Sequence, residues 1–84
     1  MRFRLIVSIQ YAGINRDLGL VQKEEKTDFE VEDVAEALRR AGELFRLTEI
    51  REAQDRHQDG TSIHGMVMRQ TSDPEEPWKV VAQY

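Results

Sequence analysis

The segment Arg2–Tyr11, RFRLIVSIQY, decides the fold, because it is the clearest strand in the sequence. Apolar and mostly polar residues alternate along it, and a period of two is typical of a half-buried strand with one apolar face. One predicted face carries Phe3, Leu5, Val7, Ile9 and Tyr11. The other carries Arg2, Arg4, Ile6, Ser8 and Gln10. We therefore expect a sheet in which this strand lies against the core.

The C-terminal segment 77–84, PWKVVAQY, repeats the pattern. Pro77 lacks a backbone N–H, and proline is tolerated at the start of a strand. Alternation places four residues on one side of this strand: Trp78, Val80, Ala82 and Tyr84. Lys79, Val81 and Gln83 fall on the other side. We predict that both strands share one sheet and send their aromatic side chains to a common core.

Between residues 31 and 45 the apolar spacing changes to three and four, which is typical of an amphipathic helix. The stripe comprises Val31, Val34, Ala35, Leu38, Ala41 and Phe45. Two helix starts fit the sequence. Glu30 is the N-cap in one, and in the other Asp33 is the N-cap with Glu36 completing a capping box. We favour the earlier start, because Val31 belongs to the stripe.

The remaining segments are less distinct. Residues 18–26, LGLVQKEEK, fit either a polar edge strand or an ordered coil, and charges of this kind blunt an exposed edge. Residues 46–56, RLTEIREAQDR, are rich in helix formers, yet they are also the nearest partner for the strand-like segment 61–71. We predict a strand over 46–56. A turn at 72–77, SDPEEP, then leads into the last strand.

These elements predict a single small α+β domain over residues 1–84. We expect a three- to four-stranded, mostly antiparallel sheet with one amphipathic helix packed on one face. The expected order is a strand, a loop or second strand, the helix, and then three further strands. A chain of 84 residues has room for one hydrophobic core only.

Composition excludes several classes of function. The net charge is −4, with 16 acidic and 12 basic residues, which disfavours a general nucleic-acid binder. The chain has no cysteine, which excludes disulfides, thiolate zinc sites and a cysteine nucleophile. The apolar run after Arg4 is too short for a signal peptide or a membrane span. We expect a soluble cytoplasmic protein without membrane association.

The motifs of common enzyme classes are missing from the sequence. It contains no G-x-S-x-G, no phosphate-binding glycine loop and no H-E-x-x-H, so we expect no catalytic residues, no cofactor and no enzyme activity.

One segment, RHQDGTSIH (56–64), offers an alternative. A two-residue turn at Asp59-Gly60 would place Asp55, His57 and His64 on one face, a ligand set known from non-haem iron sites. A three-residue turn would separate the two histidines. The longer turn would pair Glu49 with Arg69 and Ile50 with Met68, and these better pairs favour it. We therefore predict a turn here, and a metal-dependent or histidine-based enzyme is the alternative.

The sheet face opposite the helix is the best candidate for function. Its predicted members have an apolar centre and a polar rim, as protein interfaces do, and they are Arg2, Arg4, Ile6, Lys79 and Val81. We expect a non-enzymatic protein-binding module that covers a partner surface or forms a homodimer. A small accessory or inhibitory protein of a bacterium or phage fits this description.

Weak nucleic-acid binding through Arg2, Arg4 and Lys79 is a second alternative. Sheets that bind RNA carry aromatic residues on the binding face for base stacking. The predicted alternation puts the aromatic residues of both terminal strands on the opposite face. The sequence therefore disfavours this function.

Overall fold

The computed structural model describes the backbone of residues 1–11, 21–55 and 62–84, and the side chains of 1–10, 23–53 and 62–84. Within these ranges the elements are β1 (Arg2–Tyr11), β2 (Val21–Glu30), α1 (Val34–Asp55), β3 (Ser62–Gln70) and β4 (Trp78–Gln83). The strands form one sheet in the order β2-β1-β3-β4, and each neighbouring pair is antiparallel. The predicted α+β class is confirmed.

The strand β1 is central and supplies most of the core. Its alternate residues Phe3, Leu5, Val7 and Ile9 are all at most 3% exposed and face α1. Burying each such side chain contributes roughly 1.5–3 kcal/mol relative to leaving it in water. Ala37 and Ala41 of α1 are also fully buried, so the helix packs closely on the sheet. The prediction from the period of two is confirmed for residues 2–10, and the side chain of Tyr11 lies outside the described residues.

The strand β2 forms one edge of the sheet. Its only buried side chain among residues 23–30 is Phe29, which lies opposite Phe3 with 6.0 Å between the ring centroids. Most other residues in this range are charged, which protects an exposed strand edge from pairing with another chain. Of the two descriptions open for residues 18–26, the edge strand is correct from Val21 onward.

The helix α1 begins at Val34, three residues later than we predicted. Asp33 is the N-cap, and its Oδ1 accepts a hydrogen bond from the backbone N–H of Glu36 at 2.8 Å. The earlier start with Glu30 as N-cap is wrong. The reason is that the backbone N–H of Val31 donates to the Met1 carbonyl at 3.1 Å, which keeps this residue beside the sheet.

The helix continues to Asp55, so the predicted strand over 46–56 is wrong for residues 46–55. Its buried stripe runs on through Thr48 and Glu52, which are 8% and 5% exposed. Because these two residues are polar, the spacing of apolar residues does not reveal that the buried stripe continues beyond Phe45. The strand β3 pairs instead with β1, where Val67 lies opposite Leu5. In the described part of the chain, no helix has the length and apolarity needed to cross a membrane.

The strand β4 contains a bulge that changes which residues face the core. Ala82 lies opposite Val67 and Val80 lies opposite Met68, which leaves Val81 as an extra residue between the two pairs. Val81 and Ala82 both pack against the core cluster. A bulge of this kind places two residues opposite one and breaks the regular alternation of side chains.

Candidate functional site

We call the side of the sheet opposite α1 the outer face. It presents an apolar outer-face patch, which comprises Ile6, Met66, Met68, Trp78 and Val80. The patch is contiguous because Ile6 pairs with Met66 across β1 and β3, and Met68 pairs with Val80 across β3 and β4. Val80 is 44% exposed, and the other four are partly exposed.

The β2 side of the outer face is charged rather than apolar. Its outward residues in the range 23–30 are Glu24, Lys26, Asp28 and Glu30. Lys26 Nζ lies 3.6 Å from a carboxylate oxygen of Glu24. Asp28 accepts hydrogen bonds from Arg4 Nε at 2.7 Å and Arg4 Nη2 at 3.1 Å, and from Arg2 Nη2 at 3.3 Å. The bonds from Arg4 lower the pKa of the Asp28 carboxyl from 3.8 to about 2.

Arg4 joins the charged and apolar halves of the outer face. Its guanidinium carbon lies 4.3 Å from the centroid of the Trp78 ring, in a cation–π contact. The same guanidinium holds Asp28 with two hydrogen bonds. The Arg4 side chain of β1 therefore contacts both Asp28 of β2 and Trp78 of β4.

A shallow hollow of about 250 Å³ lies beside the patch near the end of β4. Its lining includes Ile6, Ser8, His64, Met66 and Gln83. Small-molecule sites are usually enclosed clefts of roughly 300–1,000 Å³. A hollow of this size on an open sheet is better suited to one inserted side chain of a protein.

The structure brings together three of the five residues predicted for partner binding. Arg2, Arg4 and Ile6 lie on the outer face, on the same side as their paired neighbours. Lys79 does not, because it pairs with Arg69, which pairs with the buried Phe3 on the helix side. Val81 does not either, because it packs against the core.

Trp78 and Val80 occupy the outer-face positions that we had assigned to Lys79 and Val81. Their predicted core position is wrong, and the bulge at Val81 is the cause. The aromatic argument against nucleic acid therefore fails for Trp78, which lies on the outer face. The prediction stands for Tyr84, whose ring stacks on Phe45 of α1 with 5.3 Å between centroids.

The proposed histidine cluster finds no support in the hairpin we expected. His64 lies on β3, is exposed and pairs with Ser8 of β1, and residues 46–55 are helical, so the pairs predicted for Glu49 and Ile50 do not form in either register. His57, the Asp59-Gly60 turn and the side chain of Asp55 lie outside the described residues. Among the described side chains, no three of His, Cys, Asp or Glu are grouped closely enough to hold a metal ion.

A second charged cluster lies on the helix side of the sheet. Arg51 Nη2 lies 2.6 Å from Glu25 and 3.3 Å from Glu52, and Lys23 Nζ lies 3.2 Å from Glu25 and 4.0 Å from Glu52. Burial acts to raise the pKa of the Glu25 carboxyl, but hydrogen bonds from Lys23 and Arg51 outweigh it and lower that pKa. This cluster connects the second half of α1 to β2. The contact between these two elements is therefore made by charged side chains rather than by apolar ones.

Comparison of the chain with family models, with curated proteins and with solved structures found no match.

Proposed function

We propose that the chain is a non-enzymatic protein-binding module, an accessory or inhibitory protein that acts through its outer face. The observation that supports this is the outer-face patch, five adjacent apolar side chains with arginines and other polar groups at its edge. Protein interfaces have an apolar centre and a polar rim, and they are enriched in Trp, Met and Arg. The expected occupant is a protein surface with an apolar centre of its own.

The described carboxyl groups with displaced pKa values all lie in ion pairs. Three of them have displaced pKa values, and all three are lowered: Glu25, Asp28 and Glu36. Each is held by an arginine partner. A general acid or base works best with a pKa near the working pH, which for a carboxyl group means a raised value. These groups are therefore ion-pair partners rather than proton donors.

Site-specific photo-crosslinking tests the proposal without knowledge of the partner. A benzophenone amino acid is introduced at Val80 in the outer-face patch, and separately at Leu47, which is 62% exposed on α1. After irradiation in extract of the organism that encodes the chain, we expect a discrete protein adduct from position 80 and none from position 47. A Met68→Glu substitution should abolish that adduct while the circular dichroism spectrum is unchanged.

Two results would refute the proposal. One is the absence of a discrete adduct from position 80. The other is the same set of adducts from positions 80 and 47, because this would mean that proteins contact the outer face no more specifically than they contact α1. An adduct of two copies of the chain supports the proposal as fully as an adduct with another protein.

The outward position of Trp78 favours single-stranded nucleic acid as a second candidate ligand. A base can stack on an exposed aromatic ring, and Arg2 and Arg4 lie close by. Three acidic residues of β2 on the same face oppose this: Glu24, Asp28 and Glu30. Titration of an oligonucleotide at low salt, followed by quenching of the fluorescence of the single tryptophan, separates the two candidates. We expect no saturable quenching.

A further inference from the structure

We infer that the occupant of the outer face is a second copy of the chain. The two copies are related by a two-fold axis that lies between their sheets and runs roughly perpendicular to the strands. This inference rests on the proposed function and names its partner. Two sheets that pack in this way lie about 10 Å apart, with their strand directions within about 30° of each other.

The uneven chemistry of the outer face selects the direction of the axis. Charged side chains lie along β2, whereas apolar ones lie along β3 and β4. An axis parallel to the strands would place β2 of one copy over β4 of the other, and Asp28 would be buried against Val80. The ion pair of Asp28 with Arg4 would then lose water and gain no polar contact from the second copy, and desolvating an ion pair in this way is costly. A perpendicular axis avoids this, because it places β2 over β2 and the patch over the patch.

The order of charges along β2 selects the position of the axis. If the axis crossed the sheet at the level of Lys26 or of Asp28, that residue would face its own copy. An axis midway between them places Lys26 of each copy opposite Asp28 of the other. The same position sets Met66 opposite Met68, because these two residues share the levels of Lys26 and Asp28 through β1.

This arrangement also brings Glu24 near Glu30 of the second copy. Both residues are exposed on the edge strand, and Glu30 ends β2 at a corner of the sheet. Twisted sheets separate at their corners, and solvent screens charges there. Trp78, at the other edge, lies over the end of the second copy that holds the hollow beside His64.

The size of the outer face is sufficient for a dimer. The four strands have 10, 10, 9 and 6 residues, and about 3.3 Å per residue with about 4.8 Å between strands gives a projected area of roughly 550 Å². The accessible area that side chains bury there is larger and approaches the roughly 800 Å² per partner of a standard interface. The chain is also thin, with extents of 44 × 27 × 15 Å and a radius of gyration of 14.8 Å. A compact chain of this length has a radius of about 12 Å.

Sedimentation velocity and equilibrium from about 1 to 200 µM test for the dimer. We expect the wild-type chain to form dimers over this range and the Val80→Glu variant to stay a monomer, with a dissociation constant raised at least about a hundredfold. Leu47→Glu is the matched control, because it places the same charge on an exposed apolar position of α1. It should leave the dimer unchanged.

Charge reversal tests the orientation. Lys26→Glu sets carboxylates opposite Asp28 of the second copy, and Asp28→Lys sets ammonium groups opposite its Lys26. Each variant alone should dimerise about tenfold more weakly than the wild type. An equimolar mixture should associate more tightly than either variant alone, because both contacts in the mixed dimer are then attractive. Full wild-type affinity is not expected, since Asp28→Lys also removes the partner of Arg4. Lys79→Glu, on the helix side, is the control and should have no effect.

The outcomes separate this inference from the proposed function. A wild-type monomer at 200 µM, together with a crosslink from Val80 to a different protein, would overturn the inference that a second copy occupies the outer face. The proposed binding function would then remain intact. A dimer that Val80→Glu does not weaken would also overturn the inference. A dimer that requires Val80 but shows no recovery in the mixture would overturn the two-fold arrangement. A monomer without any crosslink from position 80 would overturn both.

Discussion

Replacing Gly65 by alanine is expected to destabilise the fold through the contact of α1 with β3. An alanine Cβ at this position would lie 2.9 Å from Cδ2 and 3.1 Å from Cε2 of Phe45, and 3.2 Å from Cδ2 of Tyr84. Carbon atoms in contact are normally about 3.5–4.0 Å apart. The Phe45 ring must therefore move by about 0.5–1 Å, and it carries the stacked Tyr84 ring with it.

Two opposing effects set the size of the change. An extra methyl group in a packed site costs about 1–3 kcal/mol. The loss of glycine's flexibility in the unfolded chain recovers about 0.5–1 kcal/mol. We expect a net loss of about 1–2 kcal/mol in the free energy of unfolding. For a chain of 84 residues this lowers the melting temperature by about 5–15 °C.

Urea unfolding followed by circular dichroism, at one low protein concentration, measures this effect. Gly42→Ala is the matched control, because its Cβ would meet only the Tyr84 hydroxyl oxygen, at an ordinary 3.8 Å. Alanine in the helix should stabilise the fold by about 0.5–1 kcal/mol, so the two substitutions have opposite signs. In a Phe45→Leu background the cost of Gly65→Ala should fall below about 0.5 kcal/mol. A neutral Gly65→Ala, or a cost that persists in this background, would refute the reasoning.

Asp33→Ala should lower the free energy of unfolding by about 1 kcal/mol, because the N-cap of α1 is lost. Asp33→Ser should restore most of this loss, since serine also caps helices. Equal urea midpoints for the alanine variant and the wild type would contradict the capping role. A carbon-detected NMR titration should give Asp28 a pKa of about 2, and Arg4→Met should raise it toward 3.8. Because the folded pKa lies below the unfolded one, this carboxylate stabilises the fold above about pH 4 and loses that effect as the pH falls toward 2. Acid unfolding of Arg4→Met should therefore depend less on pH in this window, and a parallel dependence would count against the ion pair. Glu52→Gln should cost about 1–2 kcal/mol, since this buried carboxylate lies against two cations, and a urea midpoint within error of the wild type would show that its charge is dispensable.

The fold class could be predicted because the strongest signal in the sequence belongs to the central strand. Over residues 3–9 of β1 every second residue is apolar and buried, so the period of two reports directly on the core. The length of α1 could not be predicted in the same way. Its buried stripe continues through Thr48 and Glu52, which are held by hydrogen bonds and ion pairs rather than by apolar contacts. Helix propensity over residues 46–55 was the better guide there.

The candidate site was predictable where it rests on β1 and not where it rests on β4. Arg2, Arg4 and Ile6 follow the alternation of a regular strand, and their outward position is as expected. The contacts that order this surface were not visible in the sequence. The Arg4 guanidinium reaches Asp28 on one side and Trp78 on the other, and both depend on the registers of neighbouring strands.

The register of β4 is fixed at both of its ends, and the two ends require different numbers of residues. At one end, the backbone N–H of Thr71 donates to the Pro77 carbonyl at 2.8 Å, and the turn places Trp78 opposite Gln70. At the other end, the N–H groups of Gly65 and Tyr84 donate to each other's carbonyls at 3.2 and 2.7 Å.

Gln70 follows Gly65 by five positions, whereas Tyr84 follows Trp78 by six, so β4 must accommodate one extra residue. That residue is Val81, which turns inward beside Ala82 and adds to the core around Val67. Between the turn and the bulge, the alternation of side chains along β4 then places Trp78 on the outer face. A mismatch of one residue between two fixed pairs thus both fills the core and creates the apolar surface on which the proposed function rests.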